Sequence, residues 1–582
     1  MPFILKPTIT ETFLERSKTT PNTIGFQYKR TLWTDVSFLE FYQKVEVLSL
    51  GLTQLGVQKG DRVAILSSTR IEWAIADIAI LGAQAITVPI YSTSTPKEIQ
   101  FLLEHSESKI LFLENRTLFD KLTDQVAALS ALQAVIFMDE WESVLASGEM
   151  LRRTDPYHFE KNLLAAKPED PITICYTSGT TGEPKGVVLT HANMMSVLSD
   201  CVSVFKNHIR SERETLLTFL PLSHIIGKVE SMATFVFGWK ESYATSIQDL
   251  QKDFKEVRPT LIFSVPRIFE KAHSQIQIRL GKMSWVKRKI FAHAVKSGQK
   301  KSILGTLRYQ LYKQVIFSHV VEGFGGNLKF AICGGAPLSR ELTEYFQIMG
   351  IMIFEGYGLT ESCAPVCLNT FENYKPGSVG RPLPEVSIRI ADDGEIWIRS
   401  EKLFSHYWKR PEATAEAFVD GWFRTGDIGF LDPQGFLHIT DRKKDLIITS
   451  GGKNVAPQKI ENLLKNLSPL VEEVVVLGDR RKYLTALLTL SPEALAKFAE
   501  EKEILFSDFK TLTQHPMVDQ MIRSVIDEAN LELPPYETIK KFMILPESFS
   551  IQTGELTASL KVKRGQVSKS YRDLIESMYR ES

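Results

Sequence analysis

Short apolar runs return between helical stretches over the first three quarters of the chain, and this alternation constrains the fold more than any other feature. Arg62-Val63-Ala64-Ile65-Leu66 leads to a helical stretch from Glu72, and Ala85-Ile86-Thr87-Val88-Pro89 follows it. Lys109-Ile110-Leu111-Phe112-Leu113, Ala134-Val135-Ile136-Phe137-Met138, Leu261-Ile262-Phe263-Ser264-Val265 and Phe330-Ala331-Ile332-Cys333 repeat the theme. A strand apolar on both faces must be covered on both, and intervening helices supply the cover, so α/β layers on largely parallel sheets are expected. At 582 residues the chain exceeds what one core supports. After about Pro376 the texture changes to short alternating runs: Val386-Ser387-Ile388-Arg389-Ile390, Gly394-Glu395-Ile396-Trp397-Ile398 and Gly435-Phe436-Leu437-His438-Ile439. That pattern reads as antiparallel hairpins or a small barrel. Beyond Asp441 a basic, turn-rich joint precedes a separate α+β pattern. The predicted division is therefore 1–440, a joint at 441–445 and a smaller domain at 446–582.

Lysine plus arginine equals aspartate plus glutamate, 69 each, so no overall field draws the chain to nucleic acid. The start, Met1-Pro2-Phe3-Ile4-Leu5-Lys6-Pro7, lacks the basic, apolar and small-residue order of a secretory signal. The stretch 74–90 contains Asp77, Gly82 and Gln84 and reads as a buried helix running into a strand rather than a membrane span. Five cysteines, an odd number, point to free thiols in a reducing compartment, and a cytoplasmic location is expected. Cys363 and Cys367 have no further ligand nearby and read as small buried residues.

The segment Tyr176-Thr177-Ser178-Gly179-Thr180-Thr181-Gly182-Glu183-Pro184-Lys185-Gly186-Val187 follows the apolar run Ile172-Thr173-Ile174-Cys175. Hydroxylated residues interleaved with glycines can turn N–H groups and hydroxyls inward on an anion, and Lys185 adds a mobile cation. The spacing is not that of the common nucleotidase loop: Pro184 precedes the lysine, and Gly186 stands where a metal-binding hydroxyl is needed. The segment resembles instead the phosphate loop of the acyl-adenylate-forming, AMP-binding superfamily, which includes acyl-CoA synthetases, peptide-synthetase adenylation domains and luciferases.

The resemblance continues in order along almost the whole chain. Leu220-Pro221-Leu222-Ser223-His224 is similar to the segment lining the acyl pocket, and Cys333-Gly334-Gly335-Ala336-Pro337 to the loop on which adenine rests. Glu355-Gly356-Tyr357-Gly358-Leu359-Thr360-Glu361 resembles the second nucleotide segment. There the resemblance implies an aromatic face at Tyr357 for adenine, an α-phosphate contact at Thr360, and Mg²⁺ on Glu361 and Thr181. In Gly421-Trp422-Phe423-Arg424-Thr425-Gly426-Asp427 the carboxylate of Asp427 matches the ribose acceptor, and Arg442 a second ribose or phosphate contact. Asp441-Arg442-Lys443-Lys444-Asp445 matches the joint about which the smaller domain turns, with Lys444 as pivot and Asp441 second. Gly451, Gly452 and Lys453 match the loop lining a thiol's approach. Leu560-Lys561-Val562-Lys563-Arg564 resembles the tail whose lysine bridges acyl oxygen and α-phosphate; Leu560 stands where many relatives have glycine, and Lys563 and Arg564 lie within a turn of Lys561.

Three segments resemble the long-chain fatty-acid–CoA ligase branch: Ser264-Val265-Pro266-Arg267-Ile268-Phe269-Glu270-Lys271, Tyr407-Trp408-Lys409-Arg410-Pro411-Glu412, and Gly451-Gly452-Lys453-Asn454-Val455-Ala456-Pro457. After His224, Ile226-Gly227-Lys228 keeps only the base of that branch's usual acid–base pair. The resemblance implies a two-step ligase using ATP, Mg²⁺ and CoA on a long-chain fatty acid. Its fold would be a large α/β N-terminal domain, of two α/β subdomains and a small β-barrel, with a mobile α+β C-terminal domain. Lys561, Lys185, His224 and Glu361 would carry the chemistry. An acyl-AMP ligase that loads a carrier-protein thiol, a luciferase-like oxygenase and a non-catalytic acyl or nucleotide sensor stay open beside it. The stretch 271–321 holds eleven Lys/Arg and no Asp or Glu, with Met283, Trp285, Val286, Ile290 and Phe291 among the cations. It reads as an interfacial helix against an anionic membrane, as a core helix with a solvated basic face, or as a seat for the 3′-phosphate of CoA.

Overall fold

The structure is a computed structural model and describes residues 3–127, 129–177, 183–210, 213–299, 312 and 316–580. Within these residues two large sheets form the N-terminal lobe. One has seven strands in the order His406–Tyr407, Lys185–Thr190, Pro171–Thr177, Ile86–Ile90, Arg62–Leu66, Ile110–Leu113 and Ala134–Phe137. Its inner strands are parallel, with Val63 opposite Thr87 on one side and Ile110 on the other. Ile86–Ile90 and Ile110–Leu113 are buried at every position, as their unbroken apolar runs require. The second sheet, of nine strands, runs Arg381–Pro382, Ala364–Leu368, Met352–Leu359, Phe330–Cys333, Leu261–Ser264, Thr215–Thr218, Lys240–Tyr243, Ile24–Lys29 and Trp33–Ser37. The hairpin at its edge comes from near the start of the chain, a long-range pairing that no local pattern announces.

The helix Ile71–Gly82 is buried along its whole length. Its lone acid after the first turn, Asp77, is met by Lys228 from the helix Ile225–Phe237: the ammonium lies 2.6 Å from both carboxylate oxygens, with side chains 0% and 2% exposed. The Thr87 hydroxyl donates to the same carboxylate at 2.6 Å. Lys228, which the sequence offered only as a remnant of a charged pair, therefore pins the helix that begins at His224 to the first sheet.

Ser387–Ile390, Glu395–Arg399, Phe418–Val419, Trp422–Leu431 and Leu437–Arg442 pair antiparallel, and the three short runs read from the sequence as hairpin strands supply Ser387–Ile390, Glu395–Arg399 and Leu437–Arg442. The C-terminal lobe has a core of its own, in which Ile460, Leu464, Val474, Leu488, Ile522 and Val525 meet. It joins the three-stranded sheet Val471–Leu477, Leu484–Leu490 and Ile539–Ile544 to helices that include Pro457–Leu467 and Pro516–Glu532. All five cysteines are free and buried, Cys363 and Cys367 among them. Among the described residues no helix is long and apolar enough to cross a membrane.

Removing Lys228 strands a carboxylate in a dry core. Lys228→Ala is expected to lower N-terminal-lobe stability by about 3–5 kcal/mol, read as a fall in the urea midpoint, whereas Asp77→Leu combined with Lys228→Met costs far less.

Candidate active site

The strands Pro171–Thr177 and Lys185–Thr190 pair antiparallel with Thr177 opposite Lys185, so the intervening loop closes a hairpin. Ser178, Gly179, Thr180, Thr181 and Gly182 lie outside the described residues. Lys185 is exposed, and its ammonium stands 4.9 Å from the centre of the Tyr407 ring. Tyr407 reaches this place because His406–Tyr407 pairs with the outer edge of Lys185–Thr190, Tyr407 opposite Val187. Its hydroxyl donates to Glu361 Oε1 at 2.9 Å. Glu361 sits in the short turn Thr360–Ser362, opened by Thr360, directly after the strand Met352–Leu359. Burial pushes its carboxyl up, while its own backbone N–H, Tyr407 and the positive charge of Arg442 draw it back. A single half-buried carboxylate suits Mg²⁺ delivered on a polyphosphate, because that ion keeps waters and phosphate oxygens around one or two carboxylates. Among the described residues no cluster of three His, Cys, Asp or Glu side chains could cage a metal unaided.

Beside Gly356 and Ile226 lies a lip of small residues. Gly334, Gly335, Ala336 and Pro337 follow the strand Phe330–Cys333, with Gly335 at φ +82°, a left-handed turn that glycine takes without strain. Glu355 stands behind this lip. Its carboxyl accepts from the Thr343 hydroxyl at 3.2 Å and from the backbone of Gly377 and Leu338, and burial pushes it up to about 8. It ties the lip to the sheet. Gly356 pairs with Leu368, and a Cβ at Gly358 would lie 2.1 Å from the Ala364 carbonyl, so only glycine lets those strands approach. The Tyr357 ring is 9% exposed, and its hydroxyl donates to Asp427 Oδ2 at 2.7 Å. In this structure Tyr357 thus holds Asp427 as much as it offers a face.

Asp427 is buried and meets Arg442 Nε at 3.1 Å through its other oxygen; the two residues are also register partners across the last strand pair of the lobe. Burial raises the Asp427 carboxyl, and Arg442 opposes the rise. Lys561 reaches the same place from the far end of the chain. Its loop closes through a bridge between Leu556 and Val562, and its N–H donates to Thr557 Oγ1 at 3.0 Å. Leu560 takes φ +60° there, the left-handed conformation in which a relative's glycine would be at ease. The Lys561 side chain keeps water access at the mouth of the cleft, but protein fills most of its surroundings. Loss of solvent, then the like charge of Arg442, pulls its pKa down to about 8, and Asp427 opposes this.

His224 caps the helix Ile225–Phe237, its Nδ1 accepting from the Ile226 N–H at 3.2 Å. Burial and the positive charge of Lys561 lower its pKa to about 3, so the ring is neutral at physiological pH. With Nδ1 engaged as acceptor, the proton resides on Nε2, which can donate to an oxygen in the cleft.

The joint is held from both sides. Lys443 reaches Asp393 at 2.6 Å and Glu395 at 2.8 Å on the antiparallel sheet. Asp441 is buried and accepts from the Gln458 N–H at 3.1 Å, capping the helix Pro457–Leu467 of the other lobe. Lys444, the next residue after Lys443, is exposed. Gly451, Gly452 and Lys453 form an exposed turn tied to Thr449 inside the C-terminal lobe, and among the described residues none contacts the cleft in this orientation. The sequence had placed Tyr407 only in a segment bearing on acyl class; its contacts with both Lys185 and Glu361 depend on a strand pairing more than two hundred residues apart.

The AMP-binding enzyme family matches residues 13–408, and the AMP-binding enzyme C-terminal domain matches residues 444–582. The chain belongs to the AMP-binding enzyme family. The long-chain-fatty-acid–CoA ligase FadD15 of Mycobacterium bovis is 37% identical over 566 residues, spanning 94% of this chain and 93% of the relative. The human long-chain-fatty-acid–CoA ligase ACSBG2 is 31% identical over 593 residues, spanning 94% and 88%. Among solved structures, the adenylation domain of a carboxylate reductase from Mycobacterium chelonae shares the fold with a TM-score of 0.77 at 22% identity, covering 99% of this chain and 91% of that one. O-succinylbenzoate CoA synthetase from Bacillus subtilis, in complex with ATP and magnesium ion, follows at 0.67 and 24% identity, covering 96% and 99%.

For this AMP-binding enzyme the lowered Lys561 pKa has a measurable sign. The lysine is a cation below about pH 8 and loses its charge as pH rises through that value. The kcat/KM for ATP is expected to fall above about pH 8, and Lys561→Arg to move that limb to higher pH. A profile flat to pH about 10, the ordinary lysine range, would count against the cleft position.

Proposed function

We propose that this AMP-binding enzyme is an ATP-dependent long-chain fatty-acid–CoA ligase. The observation that carries the reading is the meeting of Lys561 with Asp427, Arg442 and His224, since the tail of the chain is brought to the side of the N-terminal lobe that also holds Arg442 near Glu361. Relatives named long-chain-fatty-acid–CoA ligase, alike over more than nine tenths of this chain, supply the acid and the thiol.

In the first half-reaction a carboxylate oxygen attacks the α-phosphorus of ATP, the bond to the bridging oxygen breaks, and pyrophosphate leaves. Lys561 stabilises the negative charge gathering between acyl oxygen and α-phosphate, and Nε2–H of His224 orients the acid. The loop 177–185 cradles the phosphates, with Lys185 at its base. The lip 334–337 and the Tyr357 segment seat adenine, and Asp427 accepts the ribose hydroxyls while Arg442 holds it in place. Glu361, with Thr181 of the phosphate loop as the second expected ligand, would hold Mg²⁺, and that ion would supply charge neutralisation for the departing phosphates. The C-terminal lobe then turns about Lys444, withdrawing Lys561 and bringing the turn 451–453 to the cleft. The CoA thiolate attacks the acyl carbonyl, the acyl–phosphate bond breaks, and AMP leaves. The division 1–440, 441–445 and 446–582 follows from this motion.

The partner surface extends to an anionic bilayer in our reading. On the helix Trp285–Gln299, Ala294, Phe291 and Val295 pack inward with Phe317, while Trp285 (63% exposed), Val286 and Ile290 face outward among Lys287, Lys289 and Lys296. An apolar ridge flanked by cations complements acidic headgroups over an acyl layer.

Three measurements test these readings. With palmitate and ATP, CoA is expected to turn pyrophosphate release from stoichiometric to catalytic. Release that stays stoichiometric points to a carrier-protein thiol, and none at any chain length to a sensor. Lys561→Ala should slow acyl-AMP formation by about 10²–10³-fold. Sedimentation with phosphatidylserine vesicles at low salt should carry the protein down, and no binding there would end the membrane proposal.

A further inference from the structure

The segment running from Thr93 through the helix Pro96–Ser106 joins the lysine loop to the phosphate loop, and nothing in the catalytic assignments above uses it. At one end the Thr93 hydroxyl donates to the Ala558 carbonyl at 2.6 Å, three residues before Lys561. Glu98 Oε1 lies 3.5 Å from the Lys563 ammonium, two residues after it, with both side chains largely shielded at 30% and 26% exposure. Lys561 is thus flanked by two contacts to the same stretch of the N-terminal lobe. At the other end of the helix, His105 Nδ1 and the Tyr176 hydroxyl are 2.8 Å apart, one residue before the loop that begins at Thr177. The His105 carbonyl also accepts from Trp408 Nε1 at 3.2 Å, beside Tyr407.

The helix is built to be stiff. Thr95 and Glu98 form a reciprocal capping box, Glu98 N–H donating to Thr95 Oγ1 and Thr95 N–H to Glu98 Oε2. Ile99, Leu102 and Leu103 are buried against the first sheet. The Glu98 carboxylate therefore has two tasks on two oxygens: Oε2 closes the box and Oε1 faces the C-terminal lobe.

We propose that Thr93 and Glu98 are positioning residues for Lys561, forming the dock against which the C-terminal lobe closes for the first half-reaction only. Resting on the ligase reading for its chemistry, the dock sets Lys561 in register with the phosphate loop through one rigid helix. It is released when the lobe turns for the thiol. The arrangement confines its effect to acyl-AMP formation, because Ala558 and Lys563 leave with Lys561.

The test separates the half-reactions. Glutamine at position 98 still completes a capping box, so Glu98→Gln removes the charge and spares the helix. Thr93→Val with Glu98→Gln is expected to slow acyl-AMP formation without CoA by about tenfold, the worth of one hydrogen bond and one shielded ion pair. Acyl-CoA formation from supplied acyl-AMP and CoA should stay at the wild-type rate. Lys563→Gln should match Glu98→Gln in the first half-reaction, and the two together should lose no more than either alone. Docking is also read without turnover: trypsin cleavage within 561–564, in the presence of ATP, should speed up by up to about tenfold in the Thr93→Val, Glu98→Gln protein. Equal losses in both half-reactions, multiplying losses for Glu98→Gln and Lys563→Gln, or unchanged adenylation and unchanged cleavage would each overturn the dock. A wild-type protein that activates no fatty acid defeats the ligase reading instead, and the cleavage comparison still decides the dock.

Discussion

The Asp427–Arg442 pair stands at the last ladder step of the N-terminal lobe, and Arg442 is itself the second residue of the joint segment 441–445. Much of the cleft takes its electrostatic character from that step. Asp427 is buried where its charge is costly, so it needs Arg442 on one oxygen and the Tyr357 hydroxyl on the other. Arg442 in turn depresses Lys561 and steadies Glu361. Because Arg442 directly follows Asp441, the cation that pairs with Asp427 is covalently next to the residue that caps a helix of the opposite lobe. The Asp427 ion pair and the anchor to the C-terminal lobe therefore share a few ångströms of backbone.

Most of the fold was legible because its information is local. Ile86–Ile90 and Ile110–Leu113 show their double burial as unbroken apolar runs, and Ser387–Ile390 shows its one-sided burial as alternation. The hairpin at Ile24–Lys29 was not legible, since its partner Lys240–Tyr243 lies more than two hundred residues on. The same division runs through the cleft. Loop 176–187, His224 and Asp427 could be proposed from short segments and family resemblance, whereas Tyr407 enters through a crossover strand and Glu98 through the other lobe. Glu355 belonged to a recognised segment, yet its carboxyl faces the backbone behind the lip. A motif gives a residue's neighbourhood along the chain, and only packing gives the direction of its side chain.

Leu560 shows how a departure from a family pattern becomes physical. The turn before Lys561 needs a left-handed residue whatever its identity, and leucine adopts it here at φ +60° while leaving its side chain 48% exposed. The strain of about 1–2 kcal/mol that such a backbone carries is tolerable in a loop held by Thr557 and by the bridge from Leu556 to Val562. Lysine placement thus survives a substitution that the bare motif would have flagged.

The burial of the five thiols has a practical corollary. Cys175, Cys201, Cys333, Cys363 and Cys367 all belong to the N-terminal lobe, and burial raises every one of their pKa values, Cys201 to about 12. Slow labelling of the native protein by alkylating reagents is therefore expected, and the C-terminal lobe has no cysteine at all. A cysteine introduced on an exposed face of that lobe becomes the lone handle for a fluorophore or spin label. The proposed rotation of the lobe can then be tested optically with every natural residue of the cleft still in place.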